Sequence, residues 1–498
     1  MTLDPRPSTK PTVAIAGATG FVGTCLREAL QDDYHLVGLT RSATRAANAD
    51  PTDATEWRRC DLFSLLQLER SLEGVDYAIY LVHSMLPSSR LTQGSFEDLD
   101  LILADNFARA AEKAGVKQIL YLGGLMPRDG ELSLHLESRY EVEQTLGARS
   151  VPLTALRAGI VVGPGGSSLR ILVNLVRRLP AMLLPTWTRS LTHPIAIADV
   201  LRAFRWCLGN ADAYGETYDI GGPEIMTYRE MMATASEVAG ASTLMVDVPA
   251  FSPHLSKLWV SVFGGASREL VNPLVDSLRH DLVARDNPLL RHLMDGATPY
   301  RDALELALTA DGRMQPNPRK TLRKKDDSVI REARLVRSVQ RMPLPPGRSA
   351  RWVAEEYMRW LPTFVRPVLR VTMDADRVCR FYLRPISQPL LELDFSPERS
   401  WPDRQLFYVT GGLLTHEFQQ YAGRLEFREM LCGTTILAAI HDFSPRLPWY
   451  VYNVTQALAH LVVMHGFRVH LQQLAKHGPP IETAGDGTSV DALALAVS

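Results

Sequence analysis

The stretch Val13-Ala-Ile-Ala-Gly17-Ala-Thr19-Gly20-Phe21-Val22-Gly23 decides how the first half of the chain is read. An apolar run enters it and a helical pattern over residues 21–30 leaves it, so it reads as strand, glycine turn and helix. Gly17, Gly20 and Gly23 keep a G-x-x-G-x-x-G spacing. The first glycine permits the tight turn, the second lets backbone N–H groups approach a pyrophosphate, and the third lets the helix pack closely on the strand. The free N–H groups and positive dipole end of that helix then face the phosphates. A glycine-rich turn with no ligand has the same local pattern. The strand before it, the helix after it and a second strand at the right distance point to nucleotide binding.

Working outward, a chain of 498 residues is too long for one core and implies two or three domains. The net charge of -1 gives no reason to expect nucleic acid or a strongly charged membrane surface. The cysteines, Cys25, Cys60, Cys207, Cys379 and Cys432, are odd in number and form no C-x-x-C pair. This argues against a disulfide framework or structural zinc, and a reducing cytoplasm is the expected compartment. No apolar run is long enough for a transmembrane segment, since even residues 169–184 are broken by Asn174, Arg177, Arg178 and Pro180.

The second strand is expected over residues 34–40, and the chain then reads Leu39-Thr40-Arg41-Ser42, where an NAD-preferring site would carry an acidic residue. Arg41 is either a partner for the 2′-phosphate of NADP(H) or a solvated surface arginine. NADP(H) is therefore the preferred cofactor, with NAD(H) left open. Asp61, at the next strand end, either reaches the adenine or N-caps a helix over residues 65–72. A strand over residues 77–83, a helix over 98–114 stopped by Gly115, and a strand over 116–122 ending in Gly123-Gly124 follow. The β-α alternation predicts an α/β fold, a doubly wound parallel Rossmann sheet with the cofactor at the carboxyl ends of its strands.

Several motifs now stand in order: the glycine turn, Tyr80-Leu-Val-His-Ser-Met85, Tyr121-Leu-Gly-Gly-Leu125, Leu156-Arg-Ala-Gly-Ile160, His193-Pro-Ile-Ala-Ile-Ala-Asp-Val200 and Asp219-Ile-Gly-Gly-Pro223. Together they resemble the atypical, NmrA-like branch of the short-chain dehydrogenase/reductase superfamily. The resemblance covers about the first 240 residues. It implies an extended NAD(P)-binding domain whose cofactor contacts fall on Gly17, Thr19, Gly20, Phe21, Val22, Gly23, Arg41, Asp61, Leu62, Leu81, Val82, His83, Gly123, Arg139, Gly159 and Ile160. Relatives in that branch include reductases, nucleotide-sugar epimerases, redox sensors without catalysis and an accessory subunit of respiratory complex I, so likeness of fold predicts the cofactor better than the reaction.

Active members of the superfamily place a Ser after the fifth strand and a Tyr-x-x-x-Lys on the next helix. Here the Ser position falls at Gly123-Gly124, His135 stands at the Tyr position and Arg139 at the Lys position, with Glu143 fixing the alignment. His135 and Arg139 are the catalytic candidates: an imidazole can act as an acid near neutral pH, and an adjacent guanidinium favours its neutral form. The alternative is a pair of ordinary polar helix residues in a protein that binds NADP(H) without turning it over. Tyr140 is one residue off the Arg139 position and points elsewhere on the helix.

Further along are expected a sixth strand over residues 153–160, the glycine loop Val161-Val-Gly-Pro-Gly-Gly-Ser167, an amphipathic helix over 169–179 and a helix capped by Asp199. Trp187 either lines a substrate pocket or fills core. A mostly helical region over 249–308 carries Trp259, Phe263 and Leu270 as core residues. These readings divide the chain into residues 1–310 as the NAD(P)-binding domain with substrate-side insertions, 311–330 as a polar basic linker, 331–477 as a second domain and 478–498 as a disordered tail.

In the second domain, strands are expected over 335–342, 368–373, 378–383, 390–395, 405–409, 423–428 and 434–442, with a helix over 350–361 after the first and one of about 28 residues over 449–476 after the last. This element order resembles the helix-grip fold of START-like proteins, and Phe443-Ser-Pro-Arg-Leu-Pro-Trp-Tyr450 resembles a domain often fused to this dehydrogenase branch. A sheet gripping a helix leaves an apolar space that side chains fill or an apolar ligand enters; Val454, Leu458, Leu461, Val462, Phe467 and Leu471 are expected to face it. His441, His460, His465 and His470 do not share one helix face, and no metal is expected.

Two function classes follow. One is an NADP(H)-dependent oxidoreductase acting on an apolar carbonyl, enone or quinone-like substrate, with His135 or a water supplying the proton. The other is a non-catalytic NADP(H) sensor or assembly factor whose second domain holds a lipid-like ligand. The sequence names no protein partner and no oligomeric state.

Overall fold

The computed structural model describes residues 10–47, 53–83, 92–248, 275–316, 336–366, 369–375, 377–415 and 423–476. Ser84, Met85, Trp259, Phe263, Leu270, linker residues 317–330 and the tail 478–498 lie outside the described residues. The chain divides into two compact units, Met1–Val339 and Gln340–Ser498.

The first unit is built on a seven-stranded parallel sheet. Its strands are β1 (Thr12–Ala16), β2 (His35–Thr40), β3 (Thr55–Arg59), β4 (Tyr77–Tyr80), β5 (Gln118–Gly124), β6 (Leu153–Ala158) and β7 (Thr217–Ile220). They lie in the order β7-β6-β5-β4-β1-β2-β3, every neighbouring pair parallel. The crossovers therefore reverse direction between β1 and β4, which opens a crevice at the carboxyl ends of those two strands.

Alternation along each strand sends successive side chains to opposite faces. Val13, Ile15, Ile79, Leu120 and Leu156 pack on one side with Leu26 and Leu30 of helix α1 (Phe21–Leu30). Ala14, Ala16, Val37, Tyr80 and Tyr121 pack on the other with helices α2 (Leu65–Ser71), α3 (Phe96–Ala114) and α4 (Leu134–Leu146). Gly115 ends α3 in the left-handed region at φ 71°, which glycine adopts without the Cβ penalty. A third cluster, including Leu172, Met182, Tyr228 and Leu304, forms the later insertions.

Two capping expectations are corrected. Ser64 caps α2 by accepting from the Gln67 N–H, because it stands directly before the helix; Asp61 is three residues further back and accepts from Phe63 N–H at 3.2 Å. Asp199 lies inside helix Ile197–Cys207, whose N-cap is Ala196, and accepts from Thr298 N–H at 2.9 Å.

In the second unit an antiparallel sheet runs through Leu369–Met373, Cys379–Leu383, Pro389–Phe395, Arg404–Gly411, Arg424–Met430 and Thr435–Phe443. Its apolar face packs on helix Ala350–Phe364 through Tyr357, Phe407, Phe427 and Phe467, so side chains fill the space between sheet and helices there. The C-terminal helix is not one piece: it runs as Trp449–Val454 and Gln456–Lys476, broken at Thr455 with φ -122° and ψ -85°. The Thr455 hydroxyl donates to the Val451 carbonyl at 2.6 Å, a bond that competes with the backbone ladder.

Its buried face also differs from expectation. Phe467 and Leu471 are buried as expected, but they share the stripe with Ala457 and Met464, while Val454, Leu458 and Val462 are 70%, 57% and 55% exposed and Leu461 is also exposed. The helix is apolar nearly all round, so hydropathy does not set its phase. Leu461 and Val462 instead line an open groove of about 490 Å³ with Trp360, Phe364 and Val469. His441 meets Glu426 at 2.7 Å inside a buried cluster with Arg404 and Arg428, and His470 meets Glu356 at 2.8 Å. Among the described residues, no group of three or more His, Cys, Asp or Glu side chains could hold a metal ion, and no helix is long and apolar enough to cross a membrane.

Candidate functional site

The glycine turn forms the floor of the crevice. Gly17 has φ 89°, where a side chain is strained, and a Cβ there would stand 3.1 Å from the Leu81 Cβ at the end of β4. Gly20 is the N-cap of α1 and makes no side-chain capping bond, and no acidic residue occupies the first turn. The helix therefore presents N–H groups that have no partner within it to whatever lies in the crevice. Thr19, Phe21 and Val22 are half-buried around this turn, and a Cβ at Gly163 would stand 2.9 Å from the Phe21 ring, so the later glycine loop closes on Phe21.

At the carboxyl end of β2, Arg41 is exposed. The Asp61 carboxylate pairs with Arg337, whose guanidinium holds it below the usual carboxylate range against the opposing effect of burial. The Leu62 carbonyl accepts from Asn106 Nδ2 at 2.9 Å. Val82 packs against the helix-covered face of the sheet. The Ile160 carbonyl accepts from Ile195 N–H at 3.0 Å, and Gly159 sits against the His193 backbone. Trp187 stacks edge-on to Tyr228 at 6.0 Å within the third cluster, which gives it a packing role.

His83, His135 and Arg139 come together beyond β4 and β5. His135 and Arg139 are one turn apart on α4 and share a face. Arg139 donates through Nη2 to the Leu122 carbonyl at 2.8 Å and lies 5.3 Å over the Tyr121 ring. Arg157 reaches from β6 to clasp the Glu143 carboxylate at 2.6 and 2.9 Å, fixing α4 against the sheet. The His135 and His83 rings are 5.2 Å apart. Burial, then His83 and then Arg139 push the His135 imidazole down to about 3, so it is neutral near pH 7. Tyr140 is exposed, with Arg157 5.8 Å over its ring.

Asp100 escaped the sequence reading. It is 0% exposed, and its Oδ2 lies 2.6 Å from His83 Nδ1. The available signal was its position: Asp100, Ala104, Phe107 and Ala111 follow a 4-3-4 spacing, which puts a carboxylate on the sheet-facing stripe of α3. Around this pair, Tyr80 Oη, His83 Nε2, His135 Nδ1 and Arg139 Nη1 are buried with no hydrogen-bond partner. Buried polar atoms without partners are rare in a finished fold, so this grouping fits a site that a polar ligand completes. The turn and these atoms suit a dinucleotide with its pyrophosphate on α1.

Residues 17–162 match the NAD(P)H-binding family model. The fold, the glycine turn and this match define the first unit as an NAD(P)H-binding Rossmann domain of the atypical, NmrA-like short-chain dehydrogenase/reductase class. Two relatives are similar in sequence. One is the auxiliary protein GraX of Staphylococcus aureus, 33% identical over 146 residues, 29% of this chain. The chain spans only 43% of that protein's length. The other is the ceramide reductase of Caulobacter vibrioides, 29% identical over 281 residues, covering 52% of this chain and 84% of the relative. Among solved structures, the NADP(H) complex of Citrobacter sp. triphenylmethane reductase superposes with a TM-score of 0.47 at 19% identity, covering 59% of this chain and all of that one.

Proposed function

We propose that this protein is an NADP(H)-dependent reductase of an apolar carbonyl, enone or quinone-like compound. The observation that carries the reading is the group of buried, unpartnered polar atoms, His83 Nε2, His135 Nδ1 and Arg139 Nη1, gathered beyond the same strand ends as the glycine turn. A ceramide reductase among the relatives supports a long-chain, largely apolar substrate. The exposed Arg41 after β2, with no acidic residue beside it, supports preference for the 2′-phosphate. Buried Cys60, Cys207 and Cys379, all unpaired, suit a reducing cytoplasm.

When bound, the cofactor supplies hydride to the carbonyl carbon. Arg139, fixed by the Leu122 carbonyl, holds the ribose or a phosphate. His135, kept neutral by burial, donates a hydrogen bond to the substrate's oxygen, polarising the carbonyl without carrying charge.

A second reading, an NADP(H) sensor whose second domain binds a lipid-like ligand through its helix-grip fold, draws on Gly123-Gly124 and His135 at the Ser and Tyr positions, and on the apolar groove beside Trp360. Stereospecific transfer of tritium from labelled NADPH to a panel of long-chain ketones, enones, aldehydes and quinones separates the two. Transfer to any member supports the reductase; tight NADPH binding with no transfer across the panel supports the sensor.

A further inference from the structure

The reductase reading polarises the carbonyl through His135 but assigns no source for the proton, and the following inference rests on that reading. We propose that His83, oriented by Asp100, is the residue that exchanges the proton with the substrate's oxygen.

Of the two histidines at this edge, His83 has a carboxylate against its ring: Nδ1 lies 2.6 Å from Asp100 Oδ2. Asp100 is fully buried and faces the sheet from α3, so the carboxylate accepts and Nδ1–H donates. That bond sets the tautomer and leaves Nε2 as the working atom, buried and without a partner. The ring is held on two sides, edge-on to Phe96 at 6.3 Å and against His135 at 5.2 Å. No carboxylate is bonded to His135, whose cation burial, His83 and Arg139 all disfavour. Burial likewise raises Tyr80 and Tyr121, so neither phenol releases a proton readily near neutral pH.

The step balances on these atoms. As the carbonyl carbon accepts hydride, the C=O π pair takes the proton from His83 Nε2. An O–H bond forms, an N–H bond breaks, and the imidazolium returns to the neutral ring that donates through Nδ1–H to Asp100. Solvent restores the proton. In the reverse direction the neutral Nε2 accepts the alcohol proton.

The groups facing His83 are Asp100, Arg139, His135, Tyr80 and Tyr121. Burial and Arg139 lower its titration below the ordinary histidine range, and Asp100 opposes them. The reductive rate should therefore rise as pH falls, with a midpoint below that of free histidine.

The test combines nitrogen-15 NMR of the His83 ring in the full chain, with and without NADP⁺, and single-turnover hydride transfer at saturating NADPH across pH. The neutral wild type should carry its proton on Nδ1, and Asp100→Asn should move part of it to Nε2 and shift the rate midpoint to lower pH. His83→Gln should slow transfer by about 100-fold or more and remove that pH limb. A proton on Nε2 in the neutral wild type, or a His83→Gln variant that binds NADPH and keeps both rate and pH profile, overturns the dyad and leaves the reductase standing. No transfer by the wild type to any compound overturns the reductase reading and the dyad with it.

Discussion

A methyl group on Gly23 would overlap the Gly17 carbonyl oxygen and stand 2.8 Å from the Ala18 Cα. Helix α1 thus rests directly on the turn that precedes it, and both neighbours are backbone atoms that cannot swing aside. Gly23→Ala should push the helix off the turn, weakening NADPH at least tenfold and lowering the melting temperature. Fluorescence titration and a thermal melt check this; unchanged affinity in a folded variant would show that the helix does not hold the pyrophosphate.

Arg41→Ala tests the cofactor preference. Loss of a charge-assisted bond to the 2′-phosphate should weaken NADPH by about 1.5 to 3 kcal/mol and leave NADH nearly unchanged. Equal losses for both cofactors, measured by parallel titrations, would make Arg41 an ordinary surface residue.

Arg139→Ala removes the guanidinium bound to Leu122 and stacked over Tyr121. If its second arm holds the cofactor, NADPH should weaken by about 1.5 to 3 kcal/mol whether or not turnover occurs, because the contact exists in the bound state. Calorimetry reads this directly, and wild-type affinity in the variant would reassign Arg139 to structure alone.

His135 makes stability depend on acid. Its folded value of about 3 lies below the unfolded value, so between roughly pH 6.5 and 3 the unfolded chain binds a proton that the fold refuses. Stability should fall as pH drops through that window, and His135→Phe, with no proton to take up, should flatten that part of the slope. Urea melts of the cofactor-free protein at several pH values measure it; identical slopes would mean that His135 titrates normally.

In the second unit, Phe467→Ala should cost about 3 to 5 kcal/mol, because Phe467 is fully buried among Tyr357, Trp360 and Phe427. Val462→Ser, on the exposed face of the same helix, should change stability by about 0.5 kcal/mol or less. Denaturant melts of the two variants compare them; a larger loss at Val462 would reverse the assignment of faces.

The sequence was most informative where structure is local. The helix over residues 21–30 begins and ends where its glycine turn and apolar spacing indicate, and Gly115 stops α3. Asp199 and Asp61 illustrate the limit: each has the right chemistry for a cap, yet the residue standing immediately before the helix takes or leaves that role. The break at Thr455 was equally hidden, since one hydroxyl bond to Val451 interrupts an otherwise continuous helical pattern.

Strand alternation and glycine spacing act over a few residues, so the chain's own order was enough to specify a parallel nucleotide-binding sheet and its cofactor turn. The pairing of His83 with Asp100 spans 17 positions and depends on how α3 docks on β4. The choice of Ala457, Met464, Phe467 and Leu471 as the buried stripe depends on which face of an almost wholly apolar helix meets the sheet. Both are settled by packing between distant elements, because a polar atom acquires or loses its partners, and an apolar face its water, only when those elements come together.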